Sequence, residues 1–102
     1  MPQFLLELGL NRPDMMQGPS EDEMSLVVQH YAYWEVLSQT GKALVVGRTQ
    51  DDRPNGYAIF LAENEEHAQL IAENDPAVGK VFSYVVRPYK VSLLGDPAAF
   101  KP

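Results

Sequence analysis

The chain has 102 residues, enough for one domain with a marginal ratio of core to surface, so association between copies would help to stabilise it. Hydrophobic residues make up 45% and charged residues 22%, and no apolar run approaches the roughly 20 residues of a membrane-spanning helix, which argues against disorder and against a membrane partner. The formal net charge of −6 and the scattered basic residues argue against nucleic acid as a partner, and the absence of cysteine excludes disulfides and thiolate metal sites.

The N-terminal stretch MPQFLLELGL lacks a basic start and carries Glu7 inside a short apolar run, unlike a secretory signal, so we expect a cytoplasmic location. From residue 3 to residue 10 the apolar even-numbered positions alternate with the others, which predicts the first strand. Residues 11–19 contain two prolines and a glycine without periodicity and are predicted to form a loop. The methionines of this loop could cover a pocket or lie exposed.

The longest helical pattern runs from Ser20 to Gly41. Ser20 and Glu23 have the spacing of a capping box, and Gly41 suits the left-handed conformation that ends many helices. At about 100° per residue, one apolar stripe is predicted to face the core: Met24, Val27, Val28, Tyr31 and Trp34. A second apolar flank lies beyond it: Leu26, Tyr33 and Leu37. His30 falls between the two, so more than half of the circumference of this helix is expected to be buried.

The second half of the chain supplies the remaining elements. Residues 43–47 and 56–62 are predicted strands, joined through a polar turn as a hairpin. A second helix is expected from Asn64 to Asn74, because Asn64 can cap it and Pro76 disfavours helix at the residue before it. A fourth strand is predicted at 81–86, interrupted at 87–89 and continued to residue 94, and its proline should place it at a sheet edge or at a bulge. We expect the C-terminal tail, residues 94–102, to contact a partner subunit or to be disordered.

The resulting order, β-α-β-β-α-β within a single domain of residues 1–102, is typical of the ferredoxin-like α+β fold. In that fold, both helices cover one face of an antiparallel sheet. The predicted strands carry apolar residues at both odd and even positions, and therefore on both faces of the sheet. The face without helices would then expose several large side chains. Two such sheets packed face to face would bury them, which predicts a homodimer.

Residues 30–89 resemble the YciI-like (YCII-related) domains, a family with a dimeric α+β barrel fold. The motifs are HYAYWEVLSQTGKALVVG, ENDP before the last strand, and Arg87-Pro88-Tyr89. The resemblance implies an active site formed by the helix histidine, here His30, and the aspartate of the Asp-Pro pair, here Asp75. Family members include a dehydrochlorinase that acts on a hydroxylated chloroaromatic compound. Two departures, Ala77 in place of an aromatic residue and Arg48 in place of a small residue or proline, imply a wider and more cationic pocket.

Three functions stay open at this point. In an enzyme of the lyase or isomerase type, His30 would act as acid or base and Asp75 would hold its second nitrogen, with a small anionic or aromatic molecule as substrate. The candidate substrate-binding residues are Arg48, Arg87, Tyr33 and Trp34. Alternatively, the same pair fixes a ligand in a non-catalytic binding or regulatory module. In a bare dimerisation domain, His30 would be a core residue and Asp75 would cap a turn.

Other chemistries have no support in the sequence. The chain contains neither a Walker loop nor a G-x-G-x-x-G motif nor a serine in a nucleophile elbow, so no cofactor is expected. His30 and His67 lie on different predicted helices without the spacing of metal ligands, so no metal is expected. We do expect His30 and Asp75 to meet in one cleft, because the fold makes the two helices neighbours and Pro76 forces the chain to turn beside Asp75.

Overall fold

The structure, a computed structural model, describes residues 1–100 and has the ferredoxin-like α+β arrangement that the element order predicts. Its four strands are β1 (Gln3–Leu10), β2 (Ala43–Arg48), β3 (Gly56–Leu61) and β4 (Phe82–Tyr89). Its helices are α1 (Glu21–Gln39) and α2 (Glu65–Glu73), and short 3-10 segments occur at Pro13–Met16 and Pro97–Ala99. The sheet order is β2-β3-β1-β4, and every neighbouring pair is antiparallel.

The ends of the helices follow the predicted capping signals. The Ser20 side chain accepts from the Glu23 amide, and the Glu23 carboxylate accepts from the Ser20 amide, so both halves of the capping box are present. Gly41 follows α1 with a φ of 78°, a conformation that strongly favours glycine. Asn64 caps α2 by accepting from the His67 amide.

The prediction for the last strand needs a correction. β4 continues without interruption through Arg87, Pro88 and Tyr89, with Pro88 opposite Phe4 of β1, and residues 90–94 lie outside the sheet. The strand tolerates proline because β4 lies at the sheet edge and pairs with β1 alone, so a missing amide on the open side removes no ladder hydrogen bond. The tail is exposed from Ser92 to Phe100, and its last two residues lie outside the described part.

The orientation of α1 differs from the prediction as well. Trp34 is buried as expected, but three other members of the predicted core stripe, Met24, Val28 and Tyr31, are exposed. Tyr33 and Leu37 of the second flank pack against the main core instead. Periodicity identifies apolar positions, but when more than half of a helix is apolar it cannot decide which stripe meets the sheet.

The main core lies between the helices and one face of the sheet. Phe4, Leu6 and Leu8 of β1 are buried there with Trp34, whose indole packs edge to face on Phe60 with ring centroids 5.5 Å apart. The opposite, helix-free face is formed by alternate strand residues and is partly exposed, with large apolar side chains: Val45, Tyr57, Val85 and Tyr89. Within residues 1–100, no helix has the length and apolar character needed to cross a bilayer.

Candidate functional site

A buried carboxylate, Asp75, lies in the tight turn that follows α2. The Asp75 amide donates to the carbonyl of Ala72 and its own carbonyl accepts from the Val78 amide, so the turn is held from both sides. The Asp75 residue is 1% exposed, and its Oδ1 accepts from the Ala77 amide at 2.9 Å. Such a carboxylate is stable in a core only when donors satisfy its oxygens.

The two remaining donors come from α1. Trp34 Nε1 donates to Asp75 Oδ2 at 2.8 Å, and His30 Nδ1 lies 2.5 Å from the same oxygen. His30 and Trp34 are four residues apart, so one helical turn brings both side chains to the same carboxylate. The structure therefore brings His30 and Asp75 into contact across 45 residues of sequence.

The electrostatics of this cluster favour an ionised Asp75. Burial raises the pKa of the Asp75 carboxyl, but hydrogen bonds from His30, from the Ala77 amide and from Trp34 together lower the pKa below its ordinary value of 3.8. An ionised carboxylate can only accept hydrogen bonds, so at neutral pH the proton shared by the pair belongs to Nδ1 of His30. In the neutral form of the imidazole, the free electron pair is then on Nε2.

The free nitrogen of His30 faces accessible space. Every buried side-chain nitrogen and oxygen of residues 1–100 has a hydrogen-bond partner, whereas His30 Nε2 has none, so this nitrogen is not buried. The imidazole also packs against the ring of Phe82, with centroids 4.9 Å apart. Asp75 from one side and Phe82 from another restrict the ring to one orientation.

His30 lines a cavity of about 450 Å³ between α1, the loop of residues 11–19, and the adjoining ends of β2 and β3. Most of its wall is apolar, including Leu8, Met15, Met16, Val27, Val46 and Phe82. Its polar side chains are His30, Tyr31 and Arg48. An apolar cavity with a few convergent polar groups is the usual form of a small-molecule site.

The other sequence candidates have different positions. Arg48 lines the cavity and has no salt bridge with any of residues 1–100. Arg87 lies on the opposite face of the sheet, where its Nη2 is 2.6 Å from Glu7 Oε2, which corrects its assignment to this site. Because strand side chains alternate between faces, an odd-numbered residue of β4 cannot join Phe82 at the cavity.

Tyr33 and Trp34 do not line the cavity either, which corrects their assignment as substrate contacts. Tyr33 donates its hydroxyl to the carbonyl of Ile71 on α2 at 2.6 Å, and the buried Trp34 donates to Asp75. Their positions along α1 turn them toward α2 and the core, away from the cavity. The role of Trp34 here is to position the carboxylate that holds His30.

Sequence reasoning missed several lining residues. Tyr31, a member of the predicted core stripe, is 69% exposed at the cavity rim, and Phe82, a residue of the predicted fourth strand, lines the cavity. Met15 and Met16 belong to the loop of residues 11–19, and the pair of adjacent methionines is the signal in the sequence that points to them. In the described range 1–100, no group of three or more His, Asp or Glu side chains is arranged to hold a metal ion.

Comparisons with known proteins agree with this architecture. The model of the YCII-related domain family matches residues 4–90. Among solved structures, the chain is similar to a 5-chloro-2-hydroxyhydroquinone dehydrochlorinase (TftG) from Burkholderia phenoliruptrix in complex with 2,5-dihydroxybenzoquinone. The two are 26% identical, with a TM-score of 0.63, and the match covers 85% of this chain and 93% of that one. No curated protein sequence matches the chain.

Proposed function

Since this chain belongs to the family of YCII-related domains, we propose that the His30 cavity is the active site of an enzyme that performs acid–base chemistry on a small substrate. One observation carries the proposal. Asp75, buried and satisfied by three donors, holds His30 by Nδ1 and leaves Nε2 accessible beside an apolar cavity. A histidine with one nitrogen held by a carboxylate and the other free is the usual arrangement of a general base.

The chemistry would be of the lyase or isomerase type. His30 Nε2 takes a proton from the substrate, and the electron pair left behind forms a new π bond. In an elimination, the leaving group departs with the electrons of its own bond, and in an isomerisation the protonated Nε2 returns the proton to another atom of the substrate. Asp75 stabilises the imidazolium formed between these steps, because it is a fixed negative charge in a buried site.

The cavity favours a small, largely flat molecule with one polar or anionic edge. About 450 Å³ accommodates a single substituted ring, and the apolar wall would cover its faces. Arg48 would bind a carboxylate or an ionised hydroxyl at the rim. The likeness to a dehydrochlorinase bound to a dihydroxybenzoquinone supports hydroxylated aromatic and quinone compounds as the class to test first.

The test is turnover by the purified protein on hydroxylated aromatic compounds, with and without a halide leaving group, followed by absorbance and by halide release. We expect His30→Ala and Asp75→Asn to lose activity by about 10²- to 10⁴-fold, the usual contribution of a general acid–base. His67→Gln is the matched control, because His67 lies on α2, outside the cavity, with its Nδ1 bonded to the Glu63 amide. Full activity of His30→Ala would refute a catalytic role for this residue.

Calorimetric titration with 2,5-dihydroxybenzoquinone distinguishes the second candidate function. If the protein binds this probe and catalyses no reaction in the panel, the alternative of a non-catalytic ligand-binding or regulatory module is correct. In that case His30→Ala should weaken binding, and His67→Gln should leave binding unchanged.

We further propose that two copies pair through the helix-free face of the sheet. Large apolar side chains are exposed there on three of the four strands, including Val45, Tyr57 and Val85. At about 25 cal/mol per Å², burying such a face against a second copy is a substantial stabilising contribution. The cytoplasmic location stays a prediction.

A further inference from the structure

The loop of residues 11–19, which we call the cap loop, forms one wall of the His30 cavity. Its 3-10 segment, Pro13–Met16, directs two consecutive methionines inward. Both methionines line the cavity, but Met15 is buried and packs with Ala77 and Val81, whereas Met16 remains 48% exposed. The exposed half of Met16 is apolar surface that a ligand in the cavity could cover.

The cap loop is held by an ion pair at its base. Arg12 donates from Nε to Glu23 Oε2 at 3.1 Å and from Nη2 to Glu23 Oε1 at 2.5 Å. The same Nη2 donates to the carbonyl of Gly18 at 3.0 Å, so one guanidinium joins both ends of the loop to the first turn of α1. Hydrogen bonds from Arg12 and from the Ser20 amide lower the pKa of Glu23 to about 2, so the pair is ionised throughout the neutral range.

The cap loop packs against the segment that follows Asp75. Met15 packs on Ala77, and the Ala77 amide is one of the three donors to Asp75. Met15 therefore belongs to the support of the pair. Met16, the next residue, also lines the cavity but does not belong to this buried cluster, so its contacts can change without disturbing Asp75.

We propose that Met16 determines which substituents the ligand can carry and that Arg12 is the positioning residue that keeps Met16 at the wall of the His30 cavity. The proposal rests on the proposed function, because it concerns the ligand of the same cavity. Methionine is unbranched and polarizable, so it adapts to the shape of an apolar ligand. A bidentate arginine holds the loop more strictly than lysine would, because its planar fork matches the carboxylate.

The binding test uses 2,5-dihydroxybenzoquinone and its monomethyl and dimethyl derivatives, measured by calorimetry. Met16→Ala should weaken binding of the parent probe by about four- to fifteenfold, as expected for the loss of one or two buried apolar groups, and should shift the preference toward the dimethyl probe. Met24→Ala is the matched control, since Met24 is 49% exposed on the outer side of α1 and does not line the cavity. An unchanged order of affinities in Met16→Ala, or no binding of any of these probes to the wild type, would overturn the proposal.

The positioning role of Arg12 has a readout that needs no ligand. In protein labelled at the methionine methyl groups, Arg12→Gln should shift and sharpen the Met16 NMR signal while the Met24 signal stays unchanged. Arg12→Lys should give an intermediate spectrum and an intermediate probe preference. A Met16 signal unaffected by Arg12→Gln would overturn the role of Arg12. If the wild type binds the probes and Met16→Ala changes their order of affinity, but the wild type turns over no compound, the result would count against the proposed enzyme function alone.

Discussion

Replacing Asp75 by asparagine tests the central cluster of the structure, because the two side chains have nearly the same shape but different hydrogen-bonding capacity. The wild-type carboxylate accepts from three donors, the Ala77 amide, Trp34 Nε1 and His30 Nδ1. An asparagine side chain has one oxygen and one NH₂ group. In either orientation, its NH₂ group would face a donor that cannot accept, the Ala77 amide or the Trp34 indole.

The magnitude follows from this count. At least one hydrogen bond to a charged group disappears and a buried donor loses its partner, and each such loss is worth about 1.5–3 kcal/mol. Part of the loss is offset because a neutral amide costs less to bury than a carboxylate. We therefore expect Asp75→Asn to lower the free energy of unfolding by about 2 kcal/mol at pH 7 in urea titrations.

The pH dependence of this difference gives the sharper test. The pKa of Asp75 is below its ordinary value of 3.8 in the folded protein, so its ionisation stabilises the fold above that value, and the contribution is lost as the pH falls through the folded pKa. The gap between wild type and Asp75→Asn should thus be largest near neutral pH and shrink in acid. Glu23 also titrates in acid, but it does so in both proteins and cancels in the difference.

Asp52→Asn, a change of the same chemistry in an exposed loop, is the matched control and should alter stability by less than about 0.5 kcal/mol. A gap between wild type and Asp75→Asn that is absent at pH 7, or that does not change between neutral pH and acid, would refute the account of an ionised, fully satisfied carboxylate.

Three further predictions concern the site, the assembly and a helix end. Nitrogen NMR at neutral pH should find the His30 proton on Nδ1, and a proton on Nε2 alone would contradict the assigned pairing. Sedimentation should give about twice 11.4 kDa for the wild type and 11.4 kDa for Val85→Lys, and a wild type that stays at 11.4 kDa would refute the dimer. Gly41→Ala should lower the free energy of unfolding by about 1 kcal/mol because of its φ of 78°, whereas Gly95→Ala, with no positive φ, should be neutral.

Local signals determined much of this protein before any tertiary contact was considered. Ser20, Glu23 and Gly41 mark both ends of α1 because capping depends on residues within one helical turn. The alternation of β1 and the Asn64 cap of α2 act over the same short range, so the order of elements, and with it the ferredoxin-like topology, could be predicted.

Choices between competing surfaces were decided only by the tertiary structure. Two apolar stripes of α1 had similar composition, and packing of Trp34 on Phe60 left Met24 and Val28 exposed. Arg48 and Arg87 were equivalent as cations in sequence, but the side-chain alternation of their strands placed Arg48 at the cavity and Arg87 beside Glu7 on the other face. Sequence patterns indicate which residues are apolar and favour burial. The residues against which each of them packs depend on contacts between segments far apart in the chain.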